Sequence, residues 1–159
     1  MRRLIRQREI VADDWRYPGE AGTGLQVLRL VELRDAVAAG TAPASGAGVW
    51  LEPADEVEQL APLLPRVALV VLNFPKFGEG RGFSQAQLLR QRHGFTGELR
   101  ATGKIQRDYL FFLARCGCDA FDLDPAENLE AALAYFGTFT VAYQPSSDRD
   151  VKLRSRPAA

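Results

Sequence analysis

The chain has 159 residues with 20 Lys/Arg and 20 Asp/Glu, so its formal net charge is zero at neutral pH. An apolar fraction of 47% and a charged fraction of 25% are typical of a soluble globular protein, and the length suffices for one domain with an ordinary core. The neutral balance argues against a general nucleic-acid binder, and no apolar run approaches the roughly 18–20 residues of a membrane span.

The first third of the chain predicts a small hairpin followed by one strand and one helix. Residues 4–5 and 10–11 are apolar and flank the polar RQRE, which predicts an N-terminal β-hairpin. A loop is expected at residues 15–24. Residues 25–30 predict a strand, and residues 31–39 predict a helix that ends at a glycine.

The rest of the chain alternates predicted strands and helices. Strands are predicted at residues 49–52, 67–74, 97–101, 120–123 and 139–143, and helices are predicted to begin at Pro53, Ser84, Ile105 and Asp124. Ser84 and Asp124 are expected to be helix N-caps. Such alternation is typical of βαβ units with a parallel sheet.

We therefore predict an α/β fold: a mainly parallel sheet of about five strands, flanked by helices and preceded by the N-terminal hairpin. An open three-layer sandwich and a partial barrel share this order of elements, and we favour the open sandwich. Residues 1–144 are expected to form one domain. Residues 145–159 are polar and are expected to form a loose tail.

Residues 73–108 concentrate positive charge around a glycine-rich turn. They hold seven Lys/Arg and three Asp/Glu, a formal balance of +4 in a neutral chain. The turn lacks the Gly-Lys-Ser/Thr ending of a P-loop and the spacing of the dinucleotide fingerprint. Backbone N–H groups at such a turn can still face an anion, so we predict an oxyanion cradle. The alternative is a tight loop whose glycines only accommodate positive φ.

Ligand sites of parallel α/β folds lie at the carboxyl ends of the strands. The predicted ligand-binding residues at this edge are Asn73, Lys76, Gly78, Gly80, Arg81, Gly82, Ser84, Arg100 and Lys104. Glu52 and Asp122 are candidates for proton transfer, although no catalytic residue is assigned. Arginine suits oxyanions because its guanidinium is planar and always charged, but ordinary surface ion pairs are the alternative for these cations. Arg90 and Arg92 are expected to be solvated.

The single histidine and the two cysteines indicate no metal or redox site. His93 lies at a predicted helix end, where a cation complements the helix dipole, so a structural role is favoured. Cys116 and Cys118 are too close in sequence for an ordinary disulfide, and no further cysteine completes a zinc or iron–sulfur set. We interpret both as packing residues. A chain without a signal-peptide pattern and without a predicted disulfide is expected in the cytoplasm.

Three segments, FPKFGEGRGFSQAQLLR, GFTGELRATG and RCGCDAFDL, closely resemble the bacterial family catalogued as domain of unknown function 934. The resemblance extends from residues 10–15 to residues 139–144. The family is often labelled oxidoreductase and is typically encoded beside assimilatory sulfite reductase. The resemblance therefore implies a role in sulfite or sulfate reduction, without implying a catalytic residue or a cofactor.

Three functions remain open at this point. The first is a cytoplasmic protein of sulfite reduction that binds a small oxyanion and acts as an oxidoreductase or electron-transfer accessory. The second is a non-catalytic binding partner of the sulfite reductase system. The third, a flavin or nucleotide enzyme, rests on fold analogy alone. Neither nucleic acid nor a membrane is an expected partner.

Overall fold

The computed structural model describes residues 1–136, which form an eight-stranded mixed sheet curled into a half-barrel, with five α-helices. The strands are β1 (Arg3–Arg6), β2 (Glu9–Ala12), β3 (Trp15–Arg16), β4 (Leu25–Arg29), β5 (Ala47–Leu51), β6 (Val67–Phe74), β7 (Glu98–Gly103) and β8 (Ala120–Asp122). The helices are α1 (Leu30–Ala38), α2 (Val57–Leu60), α3 (Arg81–Gln87), α4 (Leu110–Cys116) and α5 (Leu129–Tyr135).

Short irregular helical segments adjoin three of these helices. A 3₁₀ segment, Ala61–Arg66, follows α2, and its two prolines explain why α2 stops after four residues. A π-helical segment, Leu88–Arg92, continues α3, and a 3₁₀ turn, Arg107–Tyr109, precedes α4.

The strand order is β2-β1-β8-β7-β6-β5-β4-β3. Strands β3 to β8 are parallel and follow one another in chain order, whereas β1 joins β8 antiparallel and carries β2 outside it. Because each right-handed crossover moves one strand further in the same direction, successive helices are placed on the same face of the sheet.

The predicted mainly parallel sheet of about five strands in an open three-layer sandwich is therefore wrong. A three-layer sandwich requires helices on both faces of the sheet. Helices reach both faces when the order of the parallel strands reverses within the sheet. Here the order of the parallel strands does not reverse. The sheet also gains three strands. The predicted hairpin becomes part of it as β1 and β2, and residues 15–16, predicted as loop, form β3.

Side-chain packing separates the two faces. Residues of all five helices share one hydrophobic core with outward-facing strand residues such as Val49, Leu72 and Leu99. The opposite face, which we call the inner face, carries Val27, Leu69 and Val71 and is covered by aromatic side chains. Those aromatic residues are Trp15, Tyr17 and Trp50. The inner face is thus filled by the chain's own β3 region.

Several local predictions have a clear outcome. The N-terminal hairpin is confirmed, with Gln7 and Arg8 both at positive φ in its two-residue turn. Helix α3 begins at Arg81, so Ser84 is not its N-cap. Helix α5 begins at Leu129 because the Asn128 side chain accepts the Ala131 N–H at 2.7 Å. The predicted cap Asp124 instead accepts the Ala126 N–H in a turn.

The strand predicted at residues 139–143, the tail at 145–159 and the domain limit at 144 lie outside the described residues.

Candidate functional site

Polar side chains line the carboxyl ends of four adjacent parallel strands. Glu52 follows β5, Asn73 and Thr102 lie near the ends of β6 and β7, and Asp122 ends β8. The register pairs Asn73 with Thr102 and Thr102 with Asp122, so the four residues form one row. Asn73 lies two positions after Val71 of the inner face, and strand alternation places the row on that face. We call Glu52, Asn73, Thr102 and Asp122 the carboxyl rim.

Glu52 and Asn73, both predicted site residues, are brought into direct contact. The Asn73 amide donates to Oε2 of Glu52 at 2.7 Å, and the Trp50 indole N–H donates to Oε1 at 2.7 Å. The Arg29 guanidinium lies 3.6 Å from the same carboxylate. Gln85 of α3 donates to the Glu52 carbonyl oxygen at 2.9 Å. Glu52 is therefore a fixed hydrogen-bond acceptor that ties β4, β5, β6 and α3 together.

Asp122, the second proton-transfer candidate, lies in a more enclosed position. The Thr102 hydroxyl donates to Oδ2 of Asp122 at 3.1 Å, and Nε of Arg2 lies 3.5 Å from the same oxygen. Burial raises the pKa of Asp122 above its ordinary value, although Arg2 and hydrogen bonds from Tyr17 and Thr102 oppose the shift. A carboxyl with a raised pKa at the carboxyl edge of a parallel sheet suits proton transfer.

Arg100, a predicted oxyanion ligand, is fully buried beneath the rim. Its guanidinium donates to Asp13 at 2.9 Å, to Glu98 at 2.7 and 2.9 Å, and to the Tyr17 hydroxyl at 3.3 Å. Burial alone would lower the pKa of Arg100, but Tyr17 and the two carboxylates raise it, so the side chain stays charged. Its donors are used within the protein, and Arg100 organises the inner face.

Arg2 covers this network from the N-terminal segment. Its guanidinium stacks 3.8 Å from the centre of the Tyr17 ring and donates to Asp13 at 3.2 Å. It also donates to the Glu20 carboxylate and to the Trp15 carbonyl oxygen. Burial and the nearby Asp122 raise the pKa of Tyr17, so its hydroxyl remains a donor.

Arg2, Asp13 and Tyr17 were not predicted from the sequence, but a signal for the first two exists. In the predicted hairpin the basic MRR precedes one strand and the acidic DD follows the other, which places Arg2 opposite Asp13. The backbone bond from the Asp13 N–H to the Arg2 carbonyl oxygen, 2.9 Å, extends the hairpin in this way.

A cavity of about 430 Å³ opens beside Asp122. Its lining includes the polar side chains of Arg2, Tyr17, Thr102 and Asp122. The segment after β8 adds apolar residues together with two carboxylates: Leu123, Asp124, Pro125, Glu127 and Leu129. The cavity thus lies at the carboxyl edge, where side chains from different strands converge.

The three glycines of the turn after β6 differ in backbone conformation and in the space around them. Gly78 has φ of +78°, which favours glycine. At Gly82 a Cβ atom would collide with the Phe74 ring, so that glycine permits close packing of α3 on β6. Gly80 has an ordinary φ of −94° and open space around it, and neither reason applies to it. Ser84 is exposed within α3.

The predicted cationic ligand-binding residues differ in whether a carboxylate pairs with them. Lys104 pairs with Asp124 at 3.0 Å, and Arg100 is paired as described above. Lys76 and Arg81 are exposed, and among residues 1–136 neither has a carboxylate within ion-pair distance. The Arg81 guanidinium donates to the Pro53 carbonyl oxygen at 3.2 Å, and the Arg81 backbone N–H donates to the Glu79 carboxylate at 3.3 Å. Of the predicted cationic ligands, the two without an ion pair in the described part of the chain therefore lie at the glycine turn.

Residues 48–153 match the family described as bacterial protein of unknown function, DUF934. This match covers more than half of the chain. The protein belongs to the DUF934 family. A search of curated proteins finds no match.

The DUF934 match includes the whole carboxyl rim and the glycine turn but begins after Arg2, Asp13 and Tyr17. The β1–β3 region that covers the inner face therefore lies outside the matched residues.

The two cysteines of this DUF934 protein pack in the core, as predicted. Neither forms a disulfide, and both belong to the hydrophobic cluster between the helices and the sheet. Burial raises the pKa of Cys118 well above its ordinary value, which suppresses the reactive thiolate. Within residues 1–136 no cluster of three His, Cys, Asp or Glu side chains is arranged to hold a metal ion. No helix of the described residues is long and apolar enough to cross a membrane.

Proposed function

We propose that this protein acts in cytoplasmic assimilatory sulfite or sulfate reduction and binds a small inorganic oxyanion at its glycine turn. The observation that carries the proposal is that Lys76 and Arg81, which flank the turn at the carboxyl edge of the half-barrel, have no ion-pair partner among residues 1–136. The sulfur-metabolic setting comes from the family resemblance.

The contact between Glu79 and the turn supports this ligand class. The Arg81 backbone N–H already donates to a carboxylate oxygen, that of Glu79, at 3.3 Å. Glu79 belongs to the same exposed turn, so an external oxyanion can replace its carboxylate without disturbing the core. Lys76 and Arg81 would then supply the charge, and Gly80 would allow a close approach to the backbone.

Thermal unfolding with added ligands tests the binding proposal. Sulfite, sulfate, phosphate and adenylyl sulfate are each added to the wild type, to the double variant K76Q/R81Q, and to R92Q. Arg92 is exposed at the far end of the π-helical segment, and R92Q is the control for loss of one positive charge away from the turn. We expect at least one sulfur oxyanion to raise the Tm of the wild type and of R92Q, but not of the double variant. The absence of any shift in the wild type would contradict the proposal.

Growth of a deletion strain tests the pathway. The strain is expected to grow poorly with sulfate or sulfite as sole sulfur source and normally with sulfide or cysteine. Normal growth on sulfate would contradict a role in this pathway.

A second candidate function is a non-catalytic binding partner of sulfite reductase. It is favoured by Phe77, whose 55% exposure beside Lys76 places an aromatic ring and a cation on the same exposed turn. Aromatic residues are enriched in protein interfaces. Co-elution of the wild type with the reductase, lost in F77S but kept in F112S, would support this function. Phe112 is equally exposed, on α4, and is the matched control.

A further inference from the structure

We infer that the cavity between Arg2 and Asp122 binds a small organic anion, a carboxylate or a sulfonate, together with one proton that Asp122 takes from solvent. This site shares no side chain with Lys76 and Arg81 at the glycine turn. It therefore stands or falls separately from the proposed function.

The mixed lining of the cavity determines the class of ligand. Arg2 and Asp122 contribute polar groups, and Leu123, Pro125 and Leu129 contribute apolar surface. A volume of about 430 Å³ lies within the range of small-molecule pockets and exceeds what a single inorganic ion fills. A charged head on a short hydrocarbon body satisfies both kinds of surface, with the head at Arg2 and the body against the apolar residues.

Arg2 is held in place by contacts other than that with Asp122. The guanidinium stacks on Tyr17, donates to Asp13 at 3.2 Å and also donates to the Glu20 carboxylate. The contact with Asp122 is longer, 3.5 Å from Nε to Oδ2. A ligand oxyanion that replaces Asp122 at Arg2 therefore breaks only this longer contact. It meets a guanidinium that its other contacts already hold in one orientation.

A further anion at Arg2, which already contacts Asp13, Glu20 and Asp122, changes the protonation of Asp122. The ligand and Asp122 meet at the same edge of one shared cation in a partly buried site, so they cannot both remain charged without repulsion. Asp122 resolves the conflict by taking a proton, after which its O–H donates to the ligand oxygen. The Thr102 hydroxyl and the Tyr17 hydroxyl remain hydrogen-bonding neighbours on either side.

Other charged groups near the cavity already have partners. Arg100 lies behind Asp122 and is paired with Asp13 and Glu98. The remaining charged lining residues pair outside the cavity: Arg3 with Glu130 at 3.1 Å, Asp124 with Lys104 at 3.0 Å, and Glu127 with Arg107 at 3.7 Å. Lys104 and a backbone hydrogen bond lower the pKa of Asp124, whereas burial raises that of Asp122. Of these two aspartates, Asp122 is the one prepared to take up a proton.

Isothermal titration calorimetry with ethanesulfonate tests this inference. The sulfonate stays ionised at every working pH, so any proton taken up on binding goes to the protein. Titration at one pH in buffers of different ionisation enthalpy counts that proton. Above the pKa of Asp122 we expect uptake of about one proton and an affinity that falls about tenfold per pH unit.

Two aspartate variants and one arginine variant separate the contributions. D122N mimics the protonated carboxyl, so it should bind ethanesulfonate with no proton uptake and with an affinity independent of pH. D124N removes a carboxylate of the same cavity and should behave as the wild type. R2Q should lose binding at least tenfold.

Measurements on the wild type alone can overturn the inference, even if a variant does not fold. Wild-type protein that does not bind ethanesulfonate or propanoate, or that binds them without proton uptake, contradicts it. A pH dependence that persists in D122N contradicts it as well. None of these outcomes depends on whether inorganic oxyanions bind at the glycine turn.

Discussion

Arg100 donates to Asp13 at 2.9 Å across 87 positions of the chain, and neither side chain is exposed to solvent. The pair joins the central strand β7 to the segment that leads from the hairpin into β3. Asp13 also accepts from Arg2, and Glu98 adds a second carboxylate to Arg100. One buried network therefore connects the N-terminal region to the sheet beneath the carboxyl rim.

Replacing Asp13 by alanine should destabilise the protein by about 3 kcal/mol. Removal of one partner of a buried ion pair leaves an uncompensated charge, which costs roughly 3–5 kcal/mol, and Glu98 keeps the cost at the lower end. Urea denaturation measures the change, and D14A, at an exposed neighbouring aspartate, should have little effect. A loss below about 1 kcal/mol for D13A would mean that the pair contributes little to stability.

The sequence predicts most strands and helices but not the order in which the strands pair in the sheet. Periodicity and turn residues identify β4 to β8, because these signals are local. The direction in which each crossover moves is not local, so sequential and reversed strand orders produce the same pattern of elements. The two-residue strand β3 is also too short for a periodic signal.

The candidate site is predictable to a similar degree. Glu52 and Asn73 were expected at one edge because each lies at the carboxyl end of a predicted apolar strand, and they do lie in contact. Arg100 was expected at that edge too, yet alternation along β7 puts it on the inner face with Glu98. Its complete burial depends on Asp13 and Tyr17, which come from a distant part of the chain.

Two glycines of the turn, Gly80 and Gly82, should respond differently to replacement by alanine. G82A should destabilise the protein by about 1–3 kcal/mol because the new methyl group collides with the Phe74 ring. G80A should change stability by less than about 0.5 kcal/mol, since nothing lies within 4 Å of the added atom. Thermal unfolding of both variants gives the comparison.

G80A also tests the oxyanion proposal. If a ligand approaches the backbone at Gly80, this variant keeps the Tm of the ligand-free protein but loses the rise in Tm that the oxyanion causes. An unchanged rise would show that the ligand does not approach the backbone at that position.

Arg90, expected to be solvated, instead joins two loops, the one before β7 and the one after α4. Its guanidinium donates to the carbonyl oxygens of Phe95 at 2.7 Å, Gly97 at 2.8 Å and Gly117 at 2.9 Å. Lysine keeps the charge but cannot reproduce this planar set of donors, so R90K should cost about 2–3 kcal/mol. R92K is the matched control because Arg92 is 66% exposed. Equal urea midpoints for the two variants would contradict this role.

The cysteines should be protected from alkylation in the folded protein. Burial of both thiols and the raised pKa of Cys118 suppress thiolate formation, so iodoacetamide at pH 8 should modify neither residue at an appreciable rate. In denaturant both should react within the same time, which provides the internal control. Mass spectrometry distinguishes Cys116 from Cys118 after digestion. Rapid modification of either thiol in the native state would contradict a packing role and would reopen thiol redox chemistry for this pair.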